Sequence, residues 1–476
     1  MAHHGRYRGD RTAVTLMPDR RQFTYAELDR QIDDWAFELS RQGVVRGDRV
    51  CILASNRLEH LTLFFACTRL GAILVPLNFR LSEHELNQTL SGVKPRVSYT
   101  DWLDGRPDAV TWHTLDTPPR VDEKFPAVDV AMDDVLMLLF TSGSTGEPKG
   151  VMMHAGMLLW NAIQTQSEWG FESDDVTVIH TPFFHTGGYN VTALPLLRAG
   201  GRLVLMDRFE PRNMLTCLVS EKVSLFFAVP TMFQAMAECD AFDRTDLSRL
   251  KLCISGGAPL PKRVLDKYRG NGILLKQGFG LTEVGPNCFS MPDDQAAFRP
   301  LSVGRPIMHS RVELRDDQGN QVALSEVGEL CIKGPHVCKG YWQKDELFAA
   351  QVQGGFFRTG DLMRCDDDGY FTVVGRIKEM YISGGENVYP AEVVAKILQH
   401  PDIKDAVVLA MPDERWGEVG CAFVRVDREI ELNELRAFLN PLLSRYKHPH
   451  RLICMDAFPL LPNGKVDKAA LQKELM

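Results

Sequence analysis

Three times in the first half of the chain, a short and nearly continuous apolar run is followed by an amphipathic stretch and then a second apolar run. The first set covers residues 49–54, 57–70 and 73–75, the second 135–140, 155–169 and 176–180, and the third 202–206, 211–222 and 224–229. A strand that is apolar on both sides must be covered on both faces, and the intervening helices supply that cover. The pattern therefore predicts mostly parallel sheets between layers of helix. Ahead of these units, Leu28, Ile32, Trp35, Ala36 and Leu39 fall at helical spacing behind a Thr24 cap. From about residue 302 polar and apolar residues alternate, as in RVELRDDQGNQVALSEVGELCIKG and FTVVGRIKEMYISG. Turn signals at Asp317-Gln318-Gly319-Asn320 and Asp368-Gly369 make this region antiparallel ribbon. The last hundred residues hold a helix over 391–398, strands over 405–410 and 421–426, and a helix from Leu432, enough for a small α+β domain.

The length of 476 residues leaves room for two to four domains, and 45% apolar residues support a large core. A formal charge of −8 argues against a nucleic-acid binder, which normally presents a net basic face. The 11 cysteines are scattered and form no C-x-x-C pair, which suits reduced thiols in the cytoplasm better than a disulfide frame or zinc site. The most membrane-like window, 61–77, is broken by Thr62, Thr68, Arg69 and Pro76, so no transmembrane segment is expected. Arg6, Arg8 and Arg11 are not followed by an apolar run, and no secretory leader is expected either.

The sharpest chemical signal is TSGSTGEPKG, residues 141–150, placed directly behind the apolar strand at 135–140. Its glycines let the backbone turn freely, its hydroxyls and N–H groups can converge on anionic oxygen, and Lys149 adds a mobile positive charge. The spacing differs from G-x-x-x-x-G-K-[ST], so a Walker-type cradle is not indicated.

With this string the chain resembles the adenylate-forming (ANL) superfamily, which holds acyl-CoA synthetases, peptide-synthetase adenylation domains and beetle luciferases. The resemblance runs from FTYAEL at Phe23 almost to the C-terminus, and four further elements follow in order: Phe279-Gly280-Leu281-Thr282-Glu283, Thr359-Gly360-Asp361, Gly375-Arg376-Ile377-Lys378, and LPNGK ending at Lys465. The fold it implies is α/β: a large N-terminal domain (1–375) of helix-covered, mostly parallel sheets with a β-barrel-like subdomain, then a hinge (376–378), then a small mobile α+β C-terminal domain (379–476). The activity it implies joins a carboxylate to the α-phosphate of ATP, expels pyrophosphate, and hands the acyl group to a thiol.

Site residues carry over position by position. Thr141, Ser142, Gly143, Ser144, Thr145, Gly146 and Lys149 would hold phosphate. Gly257, Ala258 and Pro259 would line the adenine, with Gly278, Phe279, Gly280 and Thr282 on the facing loop. Glu283 and Thr141 would serve Mg²⁺, Glu283 as a hard oxygen ligand. Asp361 would accept both ribose hydroxyls, and Arg376 would donate to ribose or phosphate. Lys465, with Thr282, Glu283 and His185, would form the catalytic set, Lys465 neutralising charge between carboxylate and α-phosphate. Ser383, Gly384 and Gly385 would admit the pantetheine arm of coenzyme A, with Arg445 and Lys447 as candidate phosphate contacts.

At His185 amino-acid-activating relatives usually carry an Asp that pairs with the substrate ammonium. A buried ammonium without that partner is costly, so the implied substrate is a fatty or aromatic acid and not an amino acid. Gly187 and Gly188 would leave room for it, and Tyr189, Val229 and Phe279 would wall it. The acceptor is coenzyme A, the alternative being an acyl-carrier protein. A homodimer is allowed for, nucleic acid is not a partner, and the chain is placed in the cytoplasm.

Overall fold

The computed structural model describes residues 1–102, 107–116, 118, 120–141, 148–258, 260–461 and 465–475. Among these the strands form four sheets. In the first, Trp112–Thr114, Val97–Thr100, Arg49–Leu53, Ile73–Pro76 and Val135–Thr141 run parallel, and Lys149–His154 closes the edge antiparallel. The second runs Leu275–Gln277, Leu252–Ser255, Leu225–Ala228, Val176–Ile179, Arg202–Leu205 and Thr12–Leu16, all parallel, with Arg21–Thr24 antiparallel at the end. Helices cover both, as the apolar strands require. Thr24 caps the helix Tyr25–Arg41 in a reciprocal box with Glu27: the Glu27 N–H donates to Thr24 Oγ1 at 3.2 Å, and the Thr24 N–H donates to Glu27 Oε2 at 2.8 Å.

The third sheet, between Phe289 and Arg376, is antiparallel throughout. The fourth belongs to the C-terminal unit: Glu386–Val388, Tyr381–Ser383, Gly417–Val426 and Ile403–Asp413 pair antiparallel, and Arg451–Met455 adds to Gly417–Val426 in parallel. Its helices Pro390–Ile397 and Leu432–Leu439 pack Val393, Ile397, Leu435 and Leu439 into one core with Val408, Ala422 and Val424. The two units touch where Arg263, on the helix Lys262–Gly270, donates to the Lys404 carbonyl.

One strand is not anticipated by the sequence pattern: Lys149–His154 pairs antiparallel with Val135–Thr141, and Thr141 and Lys149 are direct cross-strand partners. This strand is hidden in the sequence because KGVMMH is short and runs straight into the helix Ala155–Glu168 capped by His154. The window 61–77 is the helix Glu59–Leu70, a left-handed Gly71 and the strand Ile73–Pro76, and no helix among the described residues is long and apolar enough to cross a membrane. All eleven cysteines are free, nine of them buried.

The segment that follows the strand Val176–Ile179 is pinned early. Asn56 Nδ2 donates to the Thr181 carbonyl at 3.0 Å, and the Phe183 N–H donates to Asn56 Oδ1 at 3.1 Å. A Cβ on Gly188 would lie 2.6 Å from the Pro182 carbonyl oxygen and 2.8 Å from Phe183 Cα. Gly188→Ala must therefore move backbone, and we expect it to cost about 1–3 kcal/mol of stability, read as a lowered urea midpoint with unchanged slope.

Candidate active site

Ligands of open parallel sheets bind beyond the carboxyl ends of the strands, where loops diverge. Four such ends lie side by side here. Val176–Ile179 leads to His185, Leu225–Ala228 to Val229, Leu252–Ser255 to Gly256-Gly257-Ala258, and Leu275–Gln277 to Gly278-Phe279-Gly280. Gly257 has φ +88°, and the nearest atom to a Cβ there would be Val229 Cγ1 at 3.8 Å, so Gly257 and Ala258 present open, exposed backbone. The Gly278 N–H donates to the Ser255 carbonyl at 2.7 Å, locking the two loops together. A Cβ on Gly280 would stand 2.3 Å from Pro286 backbone, so only glycine fits there.

Thr282 and Glu283 occupy the tight turn closed by the Leu281–Gly285 bridge. The Glu283 carbonyl accepts from the Cys338 N–H at 2.7 Å, and Glu283 Oε1 accepts from the Tyr341 hydroxyl at 3.0 Å. Lys149 Nζ lies 5.1 Å from the centroid of the same Tyr341 ring.

Thr359-Gly360-Asp361 forms a bulge in the strand Phe356–Cys365: the partner strand pairs Cys331 with Arg358 and Glu329 with Leu362, so three residues on one side stand against one on the other. Gly360 supplies the left-handed φ of +73°. Glu329 holds the bulge by accepting from the Gly360 N–H at 3.0 Å and from Arg358 Nε at 2.7 Å. The bulge aims Asp361 inward, where Arg376, its cross-strand neighbour, donates from Nε to Oδ1 at 2.9 Å. Asp361 Oδ2 is buried with no hydrogen-bond partner. Burial pushes this carboxyl up to about 6, with Arg376 opposing and Glu379 and Glu283 adding to the rise.

Lys465 comes from the C-terminal unit. Water reaches it, yet protein encloses it on most sides, and that enclosure, then Arg376, lowers its ammonium pKa while Asp361 pulls the other way. The same ammonium acts on His185, whose pKa is lowered to about 4 by burial first, then by Lys465 and Arg80. His185 is therefore neutral at pH 7, and its Nε2 is buried without a partner. Beside it runs an edge-to-face series: Phe184 at 4.6 Å from His185, Phe79 at 5.2 Å from Phe184, and Trp102 at 5.2 Å from Phe79. The Arg80 guanidinium stands over both Phe79 and Phe184.

The structure thus brings His185, Glu283, Asp361, Arg376 and Lys465 into one electrostatic neighbourhood. Ser142, Gly143, Ser144, Thr145, Gly146 and Pro259 lie outside the described residues, as do 462–464 of the lysine element. Ser383 ends its strand opposite Glu386, and Gly384 and Gly385, with φ +60° and +87°, form the two-residue hairpin turn between them. That turn bonds to its own unit, the Gly384 N–H donating to the Trp416 carbonyl at 2.9 Å. Among the described residues no hydrogen bond or ion pair ties it to the groups around Asp361.

Three sequence expectations are corrected. Tyr189 walls no pocket: a helical turn at Gly187–Val191 rotates it fully into the core, where its hydroxyl donates to the His60 carbonyl at 3.0 Å. At Gly187 and Gly188 the missing side chains open no acyl space in the Cβ direction, which Thr181 and Phe227 occupy at the first and the 182–183 backbone at the second. Lys447 does not stand ready for phosphate; its ammonium donates to both Glu392 oxygens at 2.8 Å. Conversely, Tyr341, Asn56, Glu329 and Arg80 carried no motif that would have singled them out.

These features gather a buried carboxylate, an arginine and a lysine from the C-terminal unit beside loops at the carboxyl ends of parallel strands. Residues 1–342 match the AMP-binding enzyme family and 392–465 its C-terminal domain. The chain belongs to that family. It is similar to feruloyl-CoA synthase of Amycolatopsis sp (37% identity over 94% of this chain and 93% of that protein) and to indoleacetate–CoA ligase of Aromatoleum aromaticum (33%, 96% and 94%). Among solved structures it superimposes on o-succinylbenzoate CoA synthetase from Bacillus subtilis in complex with the acyl-adenylate intermediate OSB-AMP, with TM-score 0.89 and 28% identity over 99% and 97% of the two chains.

An Asp in an unfolded chain loses its proton near 4, whereas Asp361 keeps it to about 6 in the native state. The stability this site contributes is thus present below pH ~4 and lost as pH rises through about 6. We expect Asp361→Asn to flatten that part of the pH–stability curve and raise the melting temperature at pH 7. It should also weaken nucleotide binding about tenfold or more, since a charged hydrogen bond is worth about 1.5–3 kcal/mol; calorimetric melting and titration at pH 5 and 7 check both.

Proposed function

We propose that this chain is an ATP- and Mg²⁺-dependent, AMP-forming acid–CoA ligase, and that its acid is an aryl or arylalkanoic carboxylate without an α-amino group. The observation that carries the reading is Asp361, buried beside Arg376 and Lys465 with one oxygen unpartnered. An orphaned buried acceptor is costly unless a ligand donor completes it, and a ribose hydroxyl is such a donor. The open backbone at Gly257 and Ala258 suits the close approach of a flat base.

The reaction must bring a carboxylate to an α-phosphate, and like charges repel. Lys465 is the cation that would stand between them; desolvation first, then Arg376, lowers its pKa, and an incoming anion would stabilise its charged form. Arg376 adds a second positive group on the ribose side. Neutral His185 offers Nε2 at the acyl end, and the series Phe184, Phe79 and Trp102 offers ring edges. Rings grouped beside His185 suit an aromatic acid, in keeping with the feruloyl and indoleacetate enzymes among its relatives. Mg²⁺, when bound, neutralises phosphate charge and stabilises the leaving pyrophosphate, and Glu283 with Thr141 would hold it.

Thioester formation needs the thiol where Lys465 now stands. We assign residues 1–375 and 379–476 as the two units and Lys378 as their hinge, in the exposed turn Ile377–Glu379. The hairpin at Ser383–Gly385 would then face the site after rotation. The reducing setting implied by eleven free thiols fits the cytoplasm.

Lys465→Ala is expected to reduce acid adenylation by about a hundredfold or more, while supplied acyl-adenylate still reacts with coenzyme A. Lys378→Pro is expected to do the reverse. Separate assays of pyrophosphate and thioester read both variants, and equal loss of the two steps in Lys378→Pro would remove the hinge. Free coenzyme A as sole acceptor should give thioester; product only on a phosphopantetheinyl carrier protein would favour the carrier-loading alternative.

A further inference from the structure

Lys149 and Glu283 carry opposite charges in one site. Left to themselves, such side chains collapse into a pair, and the pair would withdraw both from polyphosphate and cation. Tyr341 stands between them. Its hydroxyl donates to Glu283 Oε1 at 3.0 Å, and its ring takes the Lys149 ammonium at 5.1 Å from the centroid. An aromatic ring offers a cation a negative face and an anion a hydroxyl donor, so one side chain satisfies both charges without letting them meet.

The backbone fixes this arrangement on two sides. Residues 339–342 run against the strand Lys149–His154: Tyr341 bridges Val151, the Trp342 N–H donates to the Gly150 carbonyl at 2.7 Å, and the Met152 N–H donates to the Gly340 carbonyl at 2.9 Å. Lys149 and Val151 share a face of that strand by its two-residue period. On the other side the Cys338 N–H holds the Glu283 carbonyl at 2.7 Å, and His336 Nδ1 holds the Val284 carbonyl. Among the described residues, Tyr341 is the one side chain recorded in hydrogen bond to the Glu283 carboxylate, and one of its oxygens remains for a cation.

We infer that Tyr341 is a positioning residue that keeps Lys149 and Glu283 apart, so that the lysine remains available to phosphate and the carboxylate to the divalent ion. This rests on the ligase reading above, in which those two groups serve the nucleotide and its metal. Tyr341 touches neither reactant; it acts through its two neighbours.

The test is equilibrium binding to the full-length protein, with turnover removed by using α,β-methylene-ATP. Analogue affinity is measured by calorimetry in EDTA, and Mn²⁺ affinity in the presence of the analogue by the amplitude of the free-ion electron paramagnetic resonance signal. Tyr341→Phe keeps the ring under Lys149 and removes the donor to Glu283. It should weaken Mn²⁺ about three- to tenfold and leave metal-free analogue affinity within about twofold. Tyr341→Leu removes the spacer, so both affinities should fall. Adding Lys149→Ala to Tyr341→Leu should then return Mn²⁺ affinity toward the Tyr341→Phe value, because the trapped carboxylate is released. Unchanged Mn²⁺ affinity in Tyr341→Phe, or equal loss of both affinities in it, overturns the inference, and this variant decides alone if Tyr341→Leu does not fold. A wild-type protein that binds no analogue would instead count against the ligase reading itself.

Discussion

Asp361 is a carboxylate held away from water with half its hydrogen-bonding capacity unused. That condition is tolerable because Arg376 faces it across adjacent strands, and because a bulge stapled by Glu329 leaves the backbone no alternative path. A buried ion pair is weak evidence for stability, since desolvation offsets most of the attraction. Here one oxygen is unpartnered as well; under the proposed function this is preorganisation, a cost in the free protein that a bound hydroxyl would remove.

The charges around Asp361 follow the same logic. Arg376, Lys465 and Lys468 stand among the acidic Asp361, Glu379 and Glu283, so cations and carboxylates alternate through this neighbourhood. Lys468 donates to Glu379 at 2.6 Å, which ties the C-terminal helix Lys468–Lys473 to the turn next to the hinge. In the proposed reaction the cation, Lys465, would come from the C-terminal unit, while the carboxylates Asp361 and Glu283 belong to the part of the chain that precedes it. Under that proposal, such a division would let one site present a lysine to the first step and clear it for the second without rebuilding the nucleotide cradle.

The alternation of apolar strands and amphipathic helices already specified the parallel sheets, because two-sided burial leaves a strand few other choices. The motifs located Glu283, Asp361, Arg376 and Lys465, each of which stands in a short contiguous string. What the sequence concealed was contact across distance. Tyr341 lies far along the chain from both Lys149 and Glu283, and its own surroundings, KGYW, belong to none of the motif strings. Tyr189 misled for the opposite reason: its proximity to His185 suggested a shared pocket, while one helical turn sent the two side chains in different directions. The strand Lys149–His154 was masked by its junction with a helix cap, a feature set by the hairpin partner and not by its own residues.

The central claim is that this cradle lowers the barrier for joining two anions before any thiol takes part. Acid-dependent exchange of labelled pyrophosphate into ATP, measured with coenzyme A and every other thiol absent, addresses it most directly. The account predicts exchange that requires both Mg²⁺ and an aryl carboxylic acid. Exchange that never exceeds the acid-free background across a broad set of carboxylic acids, in a protein that still binds ATP, would contradict it.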